Sequence, residues 1–162
     1  FEVVQLPTLE LEVGAARHAA VNDVFAASGM LGRMVEVRWS IAGEDLGEVP
    51  CDGLIASTPS GSTAYNLSNG GPVLVWGLDA MAVTFVAPHS LHARPLVVPR
   101  DRELEVTNLT GNVELALLVD GHEVGRIGEG EAVRIRLADA VSLLATLPEK
   151  TFFRRYRDTF AS

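Results

Sequence analysis

The sequence has only one cysteine, Cys51, in 162 residues. A single cysteine cannot form an intrachain disulfide, which is typical of proteins in a reducing compartment, and we expect a cytoplasmic protein. One thiol cannot build a cysteine-based zinc site either, and the histidines show neither an HxH nor an HExxH spacing. The sequence therefore predicts no metal site in this chain.

Basic residues are in the minority, with 13 Lys and Arg against 21 Asp and Glu and a formal net charge of -8. This balance argues against a general nucleic-acid binder, because phosphate backbones attract a surplus of Lys and Arg. It also disfavours attraction to an anionic membrane surface. Long apolar runs are absent too, since the longest candidate, Val73–Val86, is interrupted by Gly77 and Asp79. We therefore expect neither nucleic acid nor a membrane as a partner.

Hydrophobic residues make up 48% of the chain and charged residues 21%. Such a chain can bury a core and is not expected to be disordered. Its length predicts one domain over residues 1–162. The first residue is Phe1 rather than Met, which suggests a piece of a longer protein.

Strand patterns dominate the sequence. Four segments alternate apolar and polar residues with the period of two that buries one face of a strand: Val35–Ile41, Glu103–Val106, Val113–Val119 and Val133–Leu137. Four further strand candidates are Leu9–Val13, Ala19–Ala26, Val83–Ala87 and Val141–Leu144. Asp120-Gly121 between two apolar runs predicts a hairpin turn. Many short strands with frequent turns are typical of a sandwich or barrel, and we predict a mainly β fold, a two-sheet β-sandwich.

Two segments are predicted to be helical. A short helix is expected over about Ser62–Asn69, following Pro59-Ser60-Gly61 of the Thr-Pro-Ser-Gly-Ser-Thr loop. A second helix is expected at the C-terminus, over Glu149–Phe160, where aromatic residues recur at helical spacing. The aromatic face of this helix must cover something, and a neighbouring domain or subunit is the expected partner.

The segment Asp52–Tyr65 is the most informative one for function. A buried-type strand leads into a cluster of hydroxyl side chains and then into a helix start. Pro59 fixes one φ angle, Gly61 permits close approach of the backbone, and free N–H groups at a helix start can bind a polar or anionic ligand. Such a loop suits a nucleotide, with Tyr65 as a stacking surface. Taken alone, the same residues also fit a Ser/Thr cap on a short helix.

The segment resembles the Asp-Gly…Ser-Thr-Pro-[Thr/Ser]-Gly-Ser-Thr-Ala-Tyr signature of NAD kinases, followed by the Ser-x-Gly-Gly-Pro of that family. Leu67–Pro72 is the match to this Ser-x-Gly-Gly-Pro. Four further motifs resemble the same family in the same order along the chain: Ala20–Val24, Pro88–Val98, Val119–His122 and Phe152–Phe160. The resemblance identifies the chain as the C-terminal, dinucleotide-binding domain of an NAD kinase.

The resemblance implies an NAD-binding site formed by residues from several segments. It places in contact with NAD the residues Asn22, Asp23, Arg33, Asp52, Ser60, Thr63, Ala64, Tyr65, Asn66, Leu67, Ser68, Ala87 and His122. A carboxylate can accept paired hydrogen bonds from ribose hydroxyls, which suits Asp23. Three positions depart from the family pattern: Asp23 replaces the commoner Glu, His122 replaces Gln, and Pro50 replaces a residue that is often basic.

The resemblance also implies what the whole protein does. An NAD kinase phosphorylates the 2′-hydroxyl of the adenosine ribose of NAD to make NADP, using ATP or another phosphoryl donor and Mg²⁺ or another divalent metal. The catalytic Gly-Gly-Asp-Gly-Thr loop belongs to an N-terminal α/β domain, and no such run occurs in this sequence. No catalytic residue is therefore expected in this chain, and the isolated piece is predicted to be inactive.

In the family the dinucleotide lies between two domains and also touches a neighbouring subunit, so we expect a homo-oligomer, a dimer or a tetramer. Two alternatives stay open at this point: the C-terminal domain of a diacylglycerol or sphingosine type of lipid kinase, and a non-enzymatic β-sandwich used for binding or assembly. A serine hydrolase is disfavoured because Gly61–Tyr65 lacks the closing glycine of G-x-S-x-G.

Overall fold

The computed structural model describes residues 1–161 of the chain. Its strands are β1 (Glu2–Val13), β2 (Ala16–Ala20), β3 (Asp23–Ser28), β4 (Val35–Ile41), β5 (Glu44–Cys51), β6 (Gly53–Ser57), β7 (Ala80–Val86), β8 (Leu96–Pro99), β9 (Leu104–Asn108), β10 (Leu115–Val119), β11 (His122–Ile127) and β12 (Ala132–Thr146). A 3-10 turn (Ser60–Thr63) and the short helix α1 (Tyr65–Ser68) follow β6, and helix α2 (Phe152–Phe160) follows β12.

The strands form two six-stranded antiparallel sheets. The first has the order β2-β1-β12-β9-β4-β5, and the second has the order β11-β10-β3-β6-β7-β8. Apolar residues of both sheets meet in one buried cluster, where the ring of Trp39 packs edge-on against that of Phe85 with their centroids 5.2 Å apart. The two-sheet β-sandwich predicted from the sequence is confirmed.

Alternation decides which strands have one solvent face. In β4 the side chains of Val35, Val37 and Trp39 are buried, whereas Glu36 and Arg38 between them are exposed, as their period of two predicts. Strand β6 differs, because every one of its residues is buried. Its outer face is covered by the polypeptide that follows it, so the segment with the hydroxyl cluster lies directly on the second sheet.

Several predicted elements differ from the structure. The two strands expected over Val133–Leu137 and Val141–Leu144 are parts of the single strand β12. The single strand expected over Ala19–Ala26 is divided into β2 and β3, which lie in different sheets. The helix expected over Ser62–Asn69 is divided at Ala64, whose backbone is not helical (φ -93, ψ -128). The C-terminal helix begins at Phe152 rather than Glu149, because the Thr151 hydroxyl accepts the backbone N–H of Arg154 at 3.2 Å and caps the helix there.

The predicted hairpin turn is confirmed. Asp120 and Gly121 join β10 to β11 and both have positive φ angles, 48° and 85°. Two positive φ angles in a two-residue loop match the right-handed twist of the flanking strands, and Asp-Gly tolerates them.

Helix α2 lies outside the sandwich core. None of its residues is buried, and its aromatic side chains pack along one side, where the Phe152 ring lies 5.6 Å from that of Trp76. Among residues 1–161, no helix has both the length and the apolar composition needed to cross a membrane.

Candidate functional site

The hydroxyl-rich segment folds into a bend, residues 58–65, that is fastened to the break between β2 and β3. The Thr58 hydroxyl donates a hydrogen bond to the Val21 carbonyl at 2.7 Å, and the Thr58 backbone N–H donates to the Asn22 carbonyl at 2.9 Å. The same hydroxyl accepts the N–H of Gly61 at 3.0 Å. One threonine thus closes the bend and attaches it to the chain around Asn22.

Gly61 brings the bend into direct contact with Asn22. A Cβ added at Gly61 would overlap the carbonyl oxygen of Asn22 and would lie 2.6 Å from its Cα. Only glycine leaves room for this approach of two backbones. The structure therefore places Asn22 beside the hydroxyl bend, as the NAD kinase resemblance requires.

Two buried side chains fix the bend from inside. Asn66 is fully buried: its amide nitrogen donates to the carbonyls of Ser62 at 2.9 Å and Pro72 at 3.0 Å, and its oxygen accepts the Thr84 hydroxyl at 2.7 Å. Ser62 donates to the Pro59 carbonyl at 2.8 Å. All three bonds of the Asn66 amide remain within the chain. The contact of Asn66 with NAD remains a prediction, and what the structure shows for this side chain is a supporting role.

The remaining residues of this segment face outward to different degrees. Thr63, Ala64, Tyr65 and Ser68 are exposed, whereas Ser60 and Leu67 are half-buried. The ring of Tyr65 rests against Phe25 with centroids 5.1 Å apart, and the residue is 41% exposed. A tyrosine supported on one side and open on the other offers a surface on which a base can stack.

Asp23 begins β3 and pairs with Ser57 at the base of the bend. It is only 9% exposed, and burial raises the pKa of its carboxyl, with a smaller contribution from the charge of Asp120. Within residues 1–161 this carboxylate accepts no hydrogen bond. A partly desolvated carboxylate without a donor is an acceptor available to the hydroxyls of a ligand.

Replacing Asp23 with Asn is expected to stabilise the ligand-free chain at neutral pH. Because the pKa of Asp23 is raised above 3.8, its contribution to stability is fully present below that value and is lost as the pH rises through the folded-state pKa. The free energies of unfolding of the two proteins should therefore diverge between about pH 3 and about pH 7 in urea titrations. An equal difference at both pH values would contradict this reading of Asp23.

Asp120 is a residue near this site that the sequence analysis missed. Its carboxylate accepts three successive backbone N–H groups, those of Val21 at 2.8 Å, Asn22 at 2.7 Å and Asp23 at 3.1 Å. The sequence analysis placed Asp120 in a turn and in a motif that resembles the family, but it gave the Asp120 side chain no role. The exposed His122 begins β11 just after this turn, so it lies at the same end of the sheet as Asp23.

Three predicted site residues lie elsewhere: Arg33, Asp52 and Ala87. Asp52 precedes β6, its N–H donates to the carbonyl of Val86 at 2.9 Å, and its carbonyl accepts the N–H of Ser28 at 2.9 Å. Strand β6 separates this end from the bend by about 13 Å, at roughly 3.3 Å per residue. The predicted residues therefore fall into a bend group and a distal group (Arg33, Asp52 and Ala87) at opposite ends of the second sheet.

A cavity of about 740 Å³ opens between the bend and helix α2. Ser60 and Thr63 line one side, and Trp76 with residues of α2 lines the other. The guanidinium of Arg155 lies 5.3 Å from the centre of the Trp76 ring and donates to the Thr146 hydroxyl at 3.0 Å. The helical spacing of aromatics indicated α2, but nothing in the sequence indicated that it lies across from the bend.

Among the residues that the structure describes, no group of three potential metal ligands occurs.

Sequence comparisons identify relatives of this chain. The family model described as ATP-NAD kinase C-terminal domain matches residues 21–145. The NAD kinase of Heliobacterium modesticaldum is 39% identical over 139 residues, covering 86% of this chain and 49% of that protein. The NAD kinase of Gemmatimonas aurantiaca is 40% identical over 141 residues, covering 87% and 49%. The chain thus spans about half the length of the curated relatives it matches.

Solved structures show the same fold. The yeast NADH kinase complexed with NADH superimposes with a TM-score of 0.85 at 24% identity, covering 99% of this chain and 48% of that one. An NAD kinase from Archaeoglobus fulgidus in complex with ATP gives 0.79 at 25% identity, covering 99% and 60%. The order of the motifs, the bend fastened at Asn22 and the family match across residues 21–145 lead to one conclusion: the chain belongs to the ATP-NAD kinase C-terminal domain family.

Proposed function

We propose that this chain supplies the dinucleotide-binding surface of an NAD kinase, which transfers a phosphoryl group to the 2′-hydroxyl of the adenosine ribose of NAD and makes NADP. The observation that carries the proposal is the contact between Asn22 and the bend, together with the Asp23 carboxylate at the base of that bend. The family match favours this function over the lipid kinase and assembly alternatives.

Each part of the bend group has a role that its chemistry suits. The Asp23 carboxylate, which has no donor among residues 1–161, accepts the ribose hydroxyls. Ser60 and Thr63 line the open cavity and offer hydroxyls to the sugar or the base. The half-exposed ring of Tyr65 stacks against the adenine. Binding by these groups orients the ribose, and positioning of the reactants is one of the two main contributions to catalysis of phosphoryl transfer.

The transfer machinery lies outside this chain in the proposal. Phosphoryl transfer needs a positioned donor, charge neutralisation by a divalent metal and a group that accepts the proton of the attacking hydroxyl. An α/β domain with the Gly-Gly-Asp-Gly-Thr loop would supply these, with ATP or another donor and Mg²⁺. The relatives are about twice as long as this chain, which leaves room for such a domain. The cavity between the bend and α2 is the open side from which it would approach.

The distal group would act on a dinucleotide held by a second copy. Arg33, Asp52 and Ala87 lie about 13 Å along β6 from the bend group, at roughly 3.3 Å per residue. Exposed apolar residues surround this end: Met30, Leu31, Met34 and Leu91. A homo-oligomer, a dimer or a tetramer, would bring the distal group of one copy to the bend of another.

The single cysteine supports the cytoplasm as the compartment.

A kinase assay tests the proposal. The 162-residue chain alone should form no NADP from NAD, ATP and Mg²⁺, because it lacks the transfer loop. Joined to an N-terminal half that carries the Gly-Gly-Asp-Gly-Thr loop, it should form NADP. NADP formation by the isolated chain would contradict the division of labour, and a joined protein that folds but neither binds NAD nor makes NADP would contradict the function.

A further inference from the structure

We propose that Asp120 is a positioning residue for the dinucleotide: its carboxylate fixes the backbone of Val21–Asp23, and with it the Asn22 and Asp23 side chains, against the bend. This inference rests on the proposed function. It assigns a role to the Asp-Gly turn that goes beyond forming a hairpin.

The geometry is that of an anion held by a backbone nest. One carboxylate oxygen of Asp120 accepts the N–H groups of Asn22 and Asp23 at 2.7 and 3.1 Å, and the other accepts that of Val21 at 2.8 Å. Successive N–H groups that converge on one point attract negative charge. Hydrogen bonds to an ionised acceptor are shorter and stronger than neutral ones.

The position of this nest in the fold explains why a side chain is needed. Strands β2 and β3 belong to different sheets, and the chain passes between them at Val21 and Asn22. Within residues 1–161 the sheets offer no partner to these two N–H groups, and the Asp120 carboxylate accepts them instead. The carbonyls of the same two residues accept the Thr58 hydroxyl at 2.7 Å and the Thr58 N–H at 2.9 Å. Asp120 thus binds the N–H groups of the segment between β2 and β3, while Thr58 of the bend binds its carbonyl groups.

Asp120 is itself held in place. Its backbone N–H donates to the Asp23 carbonyl at 3.0 Å, and its φ of 48° is set by the Asp-Gly turn. The two carboxylates therefore differ in their hydrogen bonds: that of Asp120 accepts three backbone N–H groups, whereas that of Asp23 accepts none within residues 1–161. Occupation of Asp120 leaves Asp23 as the carboxylate that a ribose can reach.

The test is an NMR titration of the ¹⁵N-labelled 162-residue chain with NAD, which detects weak binding. In Asp120→Asn one acceptor oxygen becomes an NH₂ group, and in Asp120→Ala all acceptors are lost. We expect faster hydrogen exchange at Asn22 and Asp23 in the order wild type, Asp120→Asn, Asp120→Ala. NAD binding should weaken by about tenfold or more in both variants, because binding must then also order the backbone that Asp120 holds in the wild type.

Asp101 provides the matched control. It has a similar φ of 70°, it is exposed, and its carboxylate accepts no hydrogen bond from residues 1–161. Asp101→Asn and Asp101→Ala carry the same chemical change and the same backbone strain, and they should leave NAD binding unchanged. They separate a general loss of stability from a loss of positioning.

The outcomes are distinct. NAD affinity in Asp120→Asn equal to that of the wild type would overturn the positioning role and leave the proposed function intact. If the resonances of the isolated wild-type chain do not respond to NAD, the same variants are titrated in the protein joined to its N-terminal half. Absence of NAD binding there would overturn the proposed function, and with it this role. Weakened binding in the Asp120 variants alone, measured at a temperature where all four variants are fully folded, supports the inference.

Discussion

Gly61→Ala is expected to lower the free energy of unfolding by about 3 kcal/mol, at the upper end of the usual cost of overpacking. The added methyl group would overlap the Asn22 carbonyl and lie 2.6 Å from the Asn22 Cα. Both neighbours are backbone, and the Thr58 bonds hold that backbone, so neither side can yield as a flexible side chain would. The clash is relieved only by moving the bend away from Asn22, and this movement is expected to disrupt the proposed NAD site as well.

Gly125→Ala is the matched control. Gly125 lies in β11, and a Cβ there would meet nothing within 4 Å. The free energy of unfolding of this variant should therefore lie within about 0.5 kcal/mol of that of the wild type, as is usual for surface substitutions. Urea denaturation of the three proteins measures both effects. Equal stability of the Gly61 and Gly125 variants would show that the two backbones do not approach as closely as described.

Asn66→Ala is expected to lower the free energy of unfolding by about 3 kcal/mol. It leaves buried polar groups without a hydrogen-bond partner, and each such group costs roughly 1–3 kcal/mol. The groups affected are the Thr84 hydroxyl and the carbonyls of Ser62 and Pro72. The loss should appear as a fall of roughly 10 °C in Tm for a chain of this size. The bend should also loosen, since Asn66 ties it both to the second sheet and to the segment after α1.

Asn69→Ala provides the comparison for Asn66→Ala. Asn69 follows the same short helix and makes a single exposed hydrogen bond, from its amide to the Tyr65 carbonyl at 2.9 Å. Its removal should cost no more than about 1 kcal/mol, the usual net value of one such bond. If both variants lost stability equally, the buried network around Asn66 would not be what holds the bend.

Much of the fold could be predicted from local patterns. The alternation in β4 and the Asp-Gly turn after β10 each follow from a rule that acts within a few residues. The break at Asn22 could not be predicted this way. The break is fixed by the Asp120 carboxylate, which accepts backbone N–H groups there, and by Thr58, which donates to backbone carbonyls. Asp120 lies 97 residues from Asp23 along the chain, and Thr58 lies 36 residues from Asn22.

The candidate site shows the same limit. The motif order indicated which residues to group, and the structure brings Asn22 and Asp23 to the bend as expected. Strand β6 alone separates Asp52 from that bend. The antiparallel pairing of β3, β6 and β7 brings the segments of Arg33 and Ala87 to the Asp52 end, and no local pattern reveals this pairing. The supporting roles of Asn66 and Asp120 were hidden for the same reason, because their partners are distant in sequence.

A crystal structure of the chain grown with a saturating concentration of NAD tests the central claim most directly. Density for the adenosine ribose should lie within hydrogen-bond distance of the Asp23 carboxylate, with the adenine against Tyr65. NAD bound elsewhere on the sandwich, with no contact to the Asp23 carboxylate, would contradict the account.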